Sequence, residues 1–399
     1  MNVTSWRAAV KSPAFALAEL CIVVVSGAAL LLAPQIGIWA IVAALIPWGI
    51  SAFAGVVPFR RSELDWLIVL FLLTAGTGLW ASYDQTVALE KFRLIVMSVF
   101  LFYALGAQPQ ENLVWVSVGL FCVGVGISIY FFITHDFIAN PRKIEIVNLI
   151  GRWITFARPE FGWKAIHPNY VAGLAAMTAP FGSYLLVRTP RRARVHQFIL
   201  LLGLLLLLSV MVMTTSRGMW MAVMSASGVW LIWVIVRSVA IKFRPGIRAA
   251  FPSLVLIFLA VVAGLLYLGP ASAGYGITEL GYYGNGSRAE LFARSLYLVA
   301  DFPITGGGLA SFPGLYSQYI LVIPNYFLPN AHNLFLDVFI EQGIFGGAAF
   351  LLLYLTVIWR AAQRIAGSQP HDNGLFSWVV LFSLMIVFTH GLVDDYLYY

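Results

Sequence analysis

Charged residues are scarce in this chain. Asp, Glu, Lys and Arg make up 10% of its 399 residues, whereas hydrophobic residues make up 61%. A water-soluble protein of this size needs far more charged side chains to cover its surface. The mean hydropathy of +0.87 agrees with this comparison. The composition therefore excludes a soluble globular protein and predicts an integral membrane protein.

Cysteine is nearly absent, and so are the common metal and nucleotide motifs. Cys21 and Cys122 both lie in apolar runs, so we expect small core residues without a disulfide or a metal. No His, Cys and Glu cluster has metal-ligand spacing, and no glycine motif of the P-loop type occurs. The sequence predicts no metal and no cofactor. It also predicts no cleavable signal peptide, because the basic start leads straight into a long apolar run.

Long apolar runs recur along the whole chain. A run of about 20 residues can cross the hydrocarbon core of a bilayer. The runs that we expect to span are Ala14–Ala33, Ile36–Val57, Trp66–Trp80, Leu94–Leu105, Leu113–Ile133, Tyr170–Val187, Phe198–Met213, Met219–Val236, Phe251–Leu268, Ile344–Trp359 and Leu375–Val393. The prediction is an all-α polytopic membrane protein with about 11–12 transmembrane helices, in a single integral membrane domain over residues 1–399.

The net charge of +7 is carried largely by short loops between these runs. The positive-inside rule makes these loops cytoplasmic, and anionic lipid explains them without a nucleic-acid partner. Their basic residues are Arg60, Arg61, Arg188, Arg191, Arg192, Arg194, Arg237, Lys242, Arg244, Arg248, Arg360 and Arg364. Segments 134–169 and 269–333, together with the end of the chain, then face the other side. Segment 134–169 is itself basic, so we expect an anionic ligand there; its basic residues are Arg142, Lys143, Arg152, Arg158 and Lys164.

Three arginines on that outer side could bind an anion. Arg217 stands in TTSRG, a very short turn that must hold it at the membrane surface. An interfacial anchor for lipid phosphate is an equally good explanation. Arg288 and Arg294 belong to an amphipathic segment over 288–300, which predicts a short helix followed by a glycine turn at 306–308. A solvated helix face would also explain both arginines.

His332 and Glu341 lie where the chain enters an apolar run. The dipole at a helix N-terminus disfavours a protonated imidazole, so His332 could act as a general base. A histidine that only fixes a loop is the alternative. Glu341 needs a basic partner or a buried polar group, because intramembrane charges are costly. Glu19 and His390 also lie within apolar runs and have no predicted role.

The run HNLFLDVFIEQGIFG resembles a motif of the O-antigen ligases and related polymerases. Its pattern, H-N-x-x-L-x-x-x-x-E-x-G-x-x-G, is met by His332, Asn333, Leu336, Glu341, Gly343 and Gly346. Weaker matches occur in the same order as in the family: HPNYVAG at 167–173, the Ser-Arg-Gly turn at 216–218, and an R…P-x-x-G-x-G-x-x-x-F segment. That last segment runs from Arg288 through Pro303, Gly306 and Gly308 to Phe312.

The resemblance implies a GT-C-like membrane glycosyltransferase of the bacterial inner membrane, with its active site facing the periplasm. A ligase moves a glycan from undecaprenyl diphosphate to the lipid A–core oligosaccharide, without a metal and with inversion. A polymerase uses another lipid-linked repeat as acceptor, and a protein-directed glycosyltransferase is a third possibility. A flippase is the rival from another class, but the inverted repeats common in transporters are absent from the sequence.

Roles for individual residues follow from the resemblance and from the chemistry above. His332 is the expected base, and Arg217 and Arg288 are expected to bind the diphosphate. Expected substrate-binding residues are Asn333, Asn169, Arg294 and Tyr316. Expected supporting residues are Glu341 and Ser216.

Overall fold

The computed structural model describes residues 3–59, 61–159, 162–242, 245–272, 288–319, 328–367, 374–395 and 397–398. These residues form α-helices and short 3₁₀ turns, without strands. The helices are α1 Val3–Val10, α2 Pro13–Leu32, α3 Gly37–Phe53, α4 Asp65–Ala81, α5 Gln85–Gly106, α6 Leu113–Thr134, α7 Glu145–Ala157, α8 Pro168–Arg188, α9 Arg194–Met213, α10 Arg217–Lys242, α11 Phe251–Ser272, α12 Arg288–Asp301, α13 Phe312–Tyr319, α14 Leu334–Gly367 and α15 Gly374–Gly391.

The predicted spans fall on these helices. In the described part of the chain, nine helical segments are long and apolar enough to cross a membrane: α2, α3 together with the 3₁₀ turn before it (Pro34–Phe53), α6, α8, α9, α10, α11, α14 and α15. Helix α4 is apolar but has only 17 residues. The short fourth run is the second half of α5, whose first half carries Glu90, Lys91 and Arg93. The prediction of an all-α polytopic membrane protein is confirmed.

Neighbouring helices pack antiparallel, which fixes the ends at which the loops lie. Gly124 of α6 faces Thr178 of α8, and Gly182 of α8 faces Phe121 of α6. The end of α6 and the start of α8 therefore meet at one end of the bundle, which also holds His332. At the opposite end of the bundle, Arg360 donates a hydrogen bond to Glu63 and so connects two of the predicted basic loops. Arg60, Arg244 and the Lys242 side chain lie outside the described residues.

The structure corrects the expectation for the two cysteines and gives Glu19 a partner that the sequence did not predict. Cys21 and Cys122 are free thiols exposed on the outer faces of α2 and α6, so the expectation that they lie in the core is wrong. An apolar run does not reveal which of its faces is turned to the protein and which to lipid. Glu19 is buried and accepts a hydrogen bond from the Trp48 indole at 2.8 Å, which accounts for a carboxylate inside α2.

Helix α14 is interrupted at Gly343, whose backbone has φ 71° and ψ −173°. Residues 303–311, here named the glycine loop, supply the hydrogen bonds that the break removes. The Ile344 amide donates to Pro303 O at 2.8 Å, and the Gly307 amide donates to Ile340 O at 2.7 Å. On its other side the loop touches α4, because the Leu309 amide donates to Gly78 O at 2.9 Å. The loop is thus inserted between α4 and α14.

The glycine loop depends on residues without a side chain. Gly306 has φ +70°, and a Cβ there would lie 2.4 Å from the backbone carbonyl of Glu341. A left-handed backbone and overpacking each cost about 1–3 kcal/mol in a non-glycine residue. The predicted turn at 306–308 is therefore both a conformational and a packing requirement.

Replacing this glycine should destabilise the protein measurably. We expect Gly306→Ala to lower the thermal unfolding midpoint of the detergent-purified protein, because both penalties apply. Gly76→Ala is the control, since that helical glycine has no neighbouring atom within 4 Å of a Cβ. Equal midpoints for the two variants would contradict the close packing of the loop against α14.

Candidate active site

His332 and Asp394 form a hydrogen-bonded pair at the His332 end of the bundle. His332 Nδ1 lies 3.0 Å from Asp394 Oδ1, and Asp394 follows α15 by three residues. The Asp394 side chain is 1% exposed, whereas that of His332 is 24% exposed. An ionised carboxylate can only accept hydrogen bonds, so Nδ1 carries the proton and the lone pair of a neutral ring lies on Nε2.

Asp394 is itself held by two further donors. The Asn169 side-chain amide donates to Asp394 Oδ2 at 2.6 Å, and the Asp395 backbone amide donates to Oδ1 at 3.1 Å. The start of α8, the end of α15 and the segment before α14 are thereby joined through one carboxylate. Asn169, predicted to bind substrate, has the geometry of a residue that orients Asp394.

The backbone on either side of His332 is fixed by side chains. Asn330 Oδ1 accepts a hydrogen bond from the His332 amide at 3.0 Å, and Asn330 Nδ2 donates to the Tyr170 hydroxyl at 3.2 Å. The Ala331 amide donates to Asp337 Oδ1 at 2.8 Å. His332 has φ +51°, a left-handed conformation that is unfavourable for a non-glycine residue. Such strain persists where neighbouring contacts fix the backbone, as they do here.

Asn333 is the N-cap of α14. Its Oδ1 accepts hydrogen bonds from the amides of Phe335 at 3.1 Å and Leu336 at 3.0 Å, while its Nδ2 donates to Leu392 O at 2.9 Å. The residue is 0% exposed. The helix therefore begins one residue beyond Asn333, and this side chain fixes the backbone next to His332; its contact with substrate stays a prediction.

Lys91 and Glu341 form a buried ion pair, here named the Lys91–Glu341 centre. Lys91 Nζ lies 2.8 Å from Glu341 Oε1, and the side chains are 13% and 3% exposed. The Ala310 amide donates to the same Oε1 at 2.9 Å. Lys91 also lies 3.9 Å from the centre of the Tyr398 ring, whose hydroxyl accepts a hydrogen bond from Gln342 at 2.7 Å. The centre joins α5, α14, the glycine loop and the end of the chain.

Asp337 and Asp395 meet between the two sites just described. Both are almost fully buried, at 2% and 0% exposed, and each has a buried Oδ2 atom without a hydrogen-bond partner among the residues that the structure describes. Burial raises the pKa of Asp395 above its ordinary value, while the charge of Lys91 acts in the opposite direction. The two carboxyl groups lie where the end of the chain meets the first turn of α14.

Arg217 lies at the same end of the bundle as His332. It is the first residue of α10, its side chain is exposed, and only Thr214–Ser216 separates it from α9. Ser216 is buried, and its hydroxyl accepts a hydrogen bond from the Met219 amide at 3.4 Å. Gly218 packs against His390 and Val393, directly before Asp394. The structure thus brings Arg217 next to the segment that carries the partner of His332.

The other predicted residues lie on α12 and α13. The backbone of Arg288 begins α12, but its side chain lies outside the described part of the structure. Arg294 on the same helix is half-buried. Tyr316 is 6% exposed and stacks on Phe312 with ring centres 5.0 Å apart, so its ring belongs to the packing of α12 and α13 on α14.

The three arginines of segment 134–169 make side-chain hydrogen bonds within or beside that segment. Arg142 bonds His135, Arg152 bonds Glu145, and Arg158 bonds the carbonyl of Ile133. The described residues contain no group of three or more His, Cys, Asp or Glu side chains that could hold a metal ion.

Sequence reasoning missed Asp394, Lys91 and Asn330. The signal for Asp394 was available, because DDYLYY follows the last apolar run and was predicted to lie on the same side as His332. Lys91 stands before the fourth run, in residues that the sequence did not identify as helix. Nothing in the spacing of Asn330 distinguishes it from any loop asparagine.

Breaking the Lys91–Glu341 centre should be strongly destabilising. Lys91→Met leaves the Glu341 charge buried without a counterion, a change that typically costs about 3–5 kcal/mol. The double variant Lys91→Met/Glu341→Leu should regain part of this loss, because no uncompensated charge remains. Thermal unfolding in detergent measures both variants.

The exposed pair of Arg360 and Glu63 provides the matched control. Both side chains are 53% exposed, and such pairs contribute little to stability because solvent screens them. If Arg360→Met proved as destabilising as Lys91→Met, the centre would not have the structural role assigned to it.

Residues 202–351 match the family model described as O-antigen ligase. This range contains the Ser-Arg-Gly turn, the glycine loop, His332 and Glu341. No curated protein matches the chain, and no solved structure does. The family implies glycosyltransferase-type activity on glycans in a membrane. Together with the His-Asn motif and the membrane-spanning helices, this match over residues 202–351 supports an assignment to the family of O-antigen ligases and related polymerases.

Proposed function

We propose that the protein is an O-antigen ligase, which transfers a glycan from undecaprenyl diphosphate to the lipid A–core oligosaccharide. The observation that carries the proposal is the His332–Asp394 pair, held at the end of the membrane helices. With the carboxylate at Nδ1, Nε2 is the ring nitrogen left to accept a proton. The family match over residues 202–351 supports the same reaction class.

In this reaction His332 Nε2 takes the proton from the attacking hydroxyl of the acceptor. The hydroxyl oxygen then bonds to the anomeric carbon, and the bond from that carbon to the diphosphate oxygen breaks. The electron pair leaves with the diphosphate, and attack opposite this group inverts the anomeric configuration. Asp394 orients the imidazole and stabilises the imidazolium that forms, as a carboxylate does behind a catalytic histidine.

Arg217 and Arg288 bind the departing diphosphate in this proposal. A guanidinium makes bidentate, charge-assisted hydrogen bonds to phosphate oxygens and can neutralise the charge that develops on them. The position of Arg217, beside the segment that leads to Asp394, supports its assignment. Arg294, on the same helix as Arg288, is the second candidate for contact with the glycan or the diphosphate.

The proposed orientation places the His332 end in the periplasm of a bacterium and the basic loops in the cytoplasm. Positive charge in short loops marks the cytoplasmic side of a membrane protein. Contacts such as the one between Arg360 and Glu63 put these loops at the end opposite His332. Lipid-linked donors, unlike nucleotide sugars, are available at the periplasmic face.

A groove for the donor lipid lies below Arg217. A cavity of about 290 Å³ opens between α10, α11 and α15. It is apolar apart from two hydroxyl groups, and it is lined by Met221, Met224, Ser225, Phe258, Val262, Leu265, Leu266 and Thr389. Met221 is four residues, about one helical turn, beyond Arg217. We propose that this groove takes the first isoprene units of the donor while Arg217 contacts its diphosphate.

Removal of the base should abolish most transfer. With purified protein, lipid-linked glycan and lipid A–core acceptor, we expect His332→Ala to lower the rate by about 10²–10⁴-fold. Asp394→Asn should lower it as well, because the ring loses the carboxylate that orients it. His196→Ala, an exposed histidine at the start of α9, should leave the rate unchanged. Near wild-type turnover by a well-folded His332→Ala protein would overturn the mechanism.

The same assay separates the related functions by acceptor. Product with lipid A–core alone identifies a ligase, product with a second lipid-linked repeat identifies a polymerase, and product with a protein acceptor identifies a protein-directed transferase. Because arginine replaces a metal in the proposal, full activity is expected in EDTA. Activity that is lost in EDTA and restored by a divalent cation would require a different mechanism.

Filling the groove should affect long lipid donors selectively. We expect Met221→Trp to raise KM for a donor with a long isoprenoid chain and to change KM little for a donor with a very short one. The Trp side chain occupies space that only the long chain needs. Met97→Trp is the control. It also replaces a Met with a Trp inside the protein, but Met97 packs among α2, α3 and α5 in a separate cluster, away from the groove. An equal effect of Met221→Trp on both donors would exclude this groove as the lipid site.

A further inference from the structure

Helix α7 carries an exposed apolar face. Ile146, Leu149, Ile150, Trp153 and Phe156 are 65%, 53%, 48%, 73% and 77% exposed. At about 100° per residue these five positions share one side of the helix. The opposite side packs on the protein through Val147, Asn148 and Gly151. A face of this kind is not left in water by a stable protein.

The packing of α7 fixes it to the end of α6. A Cβ on Gly151 would lie 2.4 Å from the Phe137 ring, so helix and ring are in close contact. Phe137 packs edge-on against His135 with ring centres 4.6 Å apart, directly after α6 ends at Thr134. Arg158, the residue after α7, donates to the carbonyl of Ile133 in the last turn of α6.

A second polar contact tightens the same connection. Arg142 Nη2 lies 2.8 Å from His135 Nε2. Burial, followed by the charge of Arg142, lowers the pKa of His135 to about 4, so the ring is neutral and accepts this hydrogen bond near pH 7. Helix α7 is therefore held by both flanking segments at the level where α6 leaves the membrane.

Charge around α7 suits a lipid headgroup region. Arg142, Lys143 and Arg158 lie just before or after the helix, and Arg152 lies beside its apolar face. Because α6 and α8 run antiparallel, both ends of the segment meet the bundle at the His332 end. Amphipathic helices with basic flanks and Trp or Phe on the apolar face lie in the membrane interface.

We propose that α7 lies in the plane of the membrane at the His332 end, with Trp153, Phe156 and their apolar neighbours among the acyl chains of that leaflet. The basic residues that flank the helix lie at the level of the lipid phosphates. The occupant of the face is the lipid bilayer and not a second copy of the chain. This assignment does not depend on the reaction proposed above.

Nitroxide labels on two adjacent residues test the proposal. In full-length protein with Cys21→Ala and Cys122→Ala, Trp153→Cys and Arg152→Cys each receive one spin label. The two positions differ by about 100° around the helix. Each protein is placed in vesicles of phosphatidylethanolamine and phosphatidylglycerol. Collision rates are then measured with oxygen, which concentrates in acyl chains, and with a neutral nickel chelate, which stays in water.

A label at 153 should collide mainly with oxygen, and a label at 152 mainly with the nickel chelate. Strong nickel collisions at 153 would mean that the face is in water, and weak collisions with both reagents would mean that protein covers it; either result overturns the proposal. Phe156→Cys and Lys143→Cys repeat the comparison if Trp153→Cys does not fold.

Discussion

A single ion pair, Lys91 with Glu341, lies where four parts of the chain meet. Burial of either charge alone would be prohibitive in a membrane protein, so each residue requires the other. Glu341 also accepts the Ala310 amide, which places the glycine loop against α14. Lys91 in turn lies over the Tyr398 ring and so contacts the end of the chain. The arrangement of helices α5 and α14, and of both segments around them, depends on this pair.

The His332–Asp394 pair depends indirectly on the same packing of α14 against the end of the chain. Its two residues are 62 positions apart in sequence, on opposite sides of α14 and α15. Asp395, the residue after Asp394, lies beside Asp337 in the first turn of α14. Asn333 connects the N-terminus of α14 to Leu392 near the end of α15. The segment that carries Asp394 is therefore held against the start of α14, next to His332.

Periodicity and charge were enough to predict the long apolar helices, the short α12 and the glycine turn after it, because these features are local; helix α7 and the first half of α5 were not predicted. The roles of single polar residues were harder to predict. Asn333 follows the motif histidine, yet its side-chain amide caps α14 and donates a hydrogen bond to Leu392 O. No spacing in the sequence reveals these contacts. Asp394 needed a partner 62 residues away, and the break at Gly343 needed the glycine loop. Such long-range pairing is set by tertiary packing, so the sequence alone could indicate candidates but not partners.

The break at Gly343 has a consequence for how the protein is assembled. Two backbone groups of α14 bond to residues 303–307 instead of to their own helix. In hydrocarbon these groups would be left without partners, at a cost of several kcal/mol for each. Helix α14 therefore cannot insert into the bilayer as a complete helix before its neighbours are in place. The glycine loop must dock during insertion, so the insertion of this helix is cooperative with a segment that precedes it in synthesis.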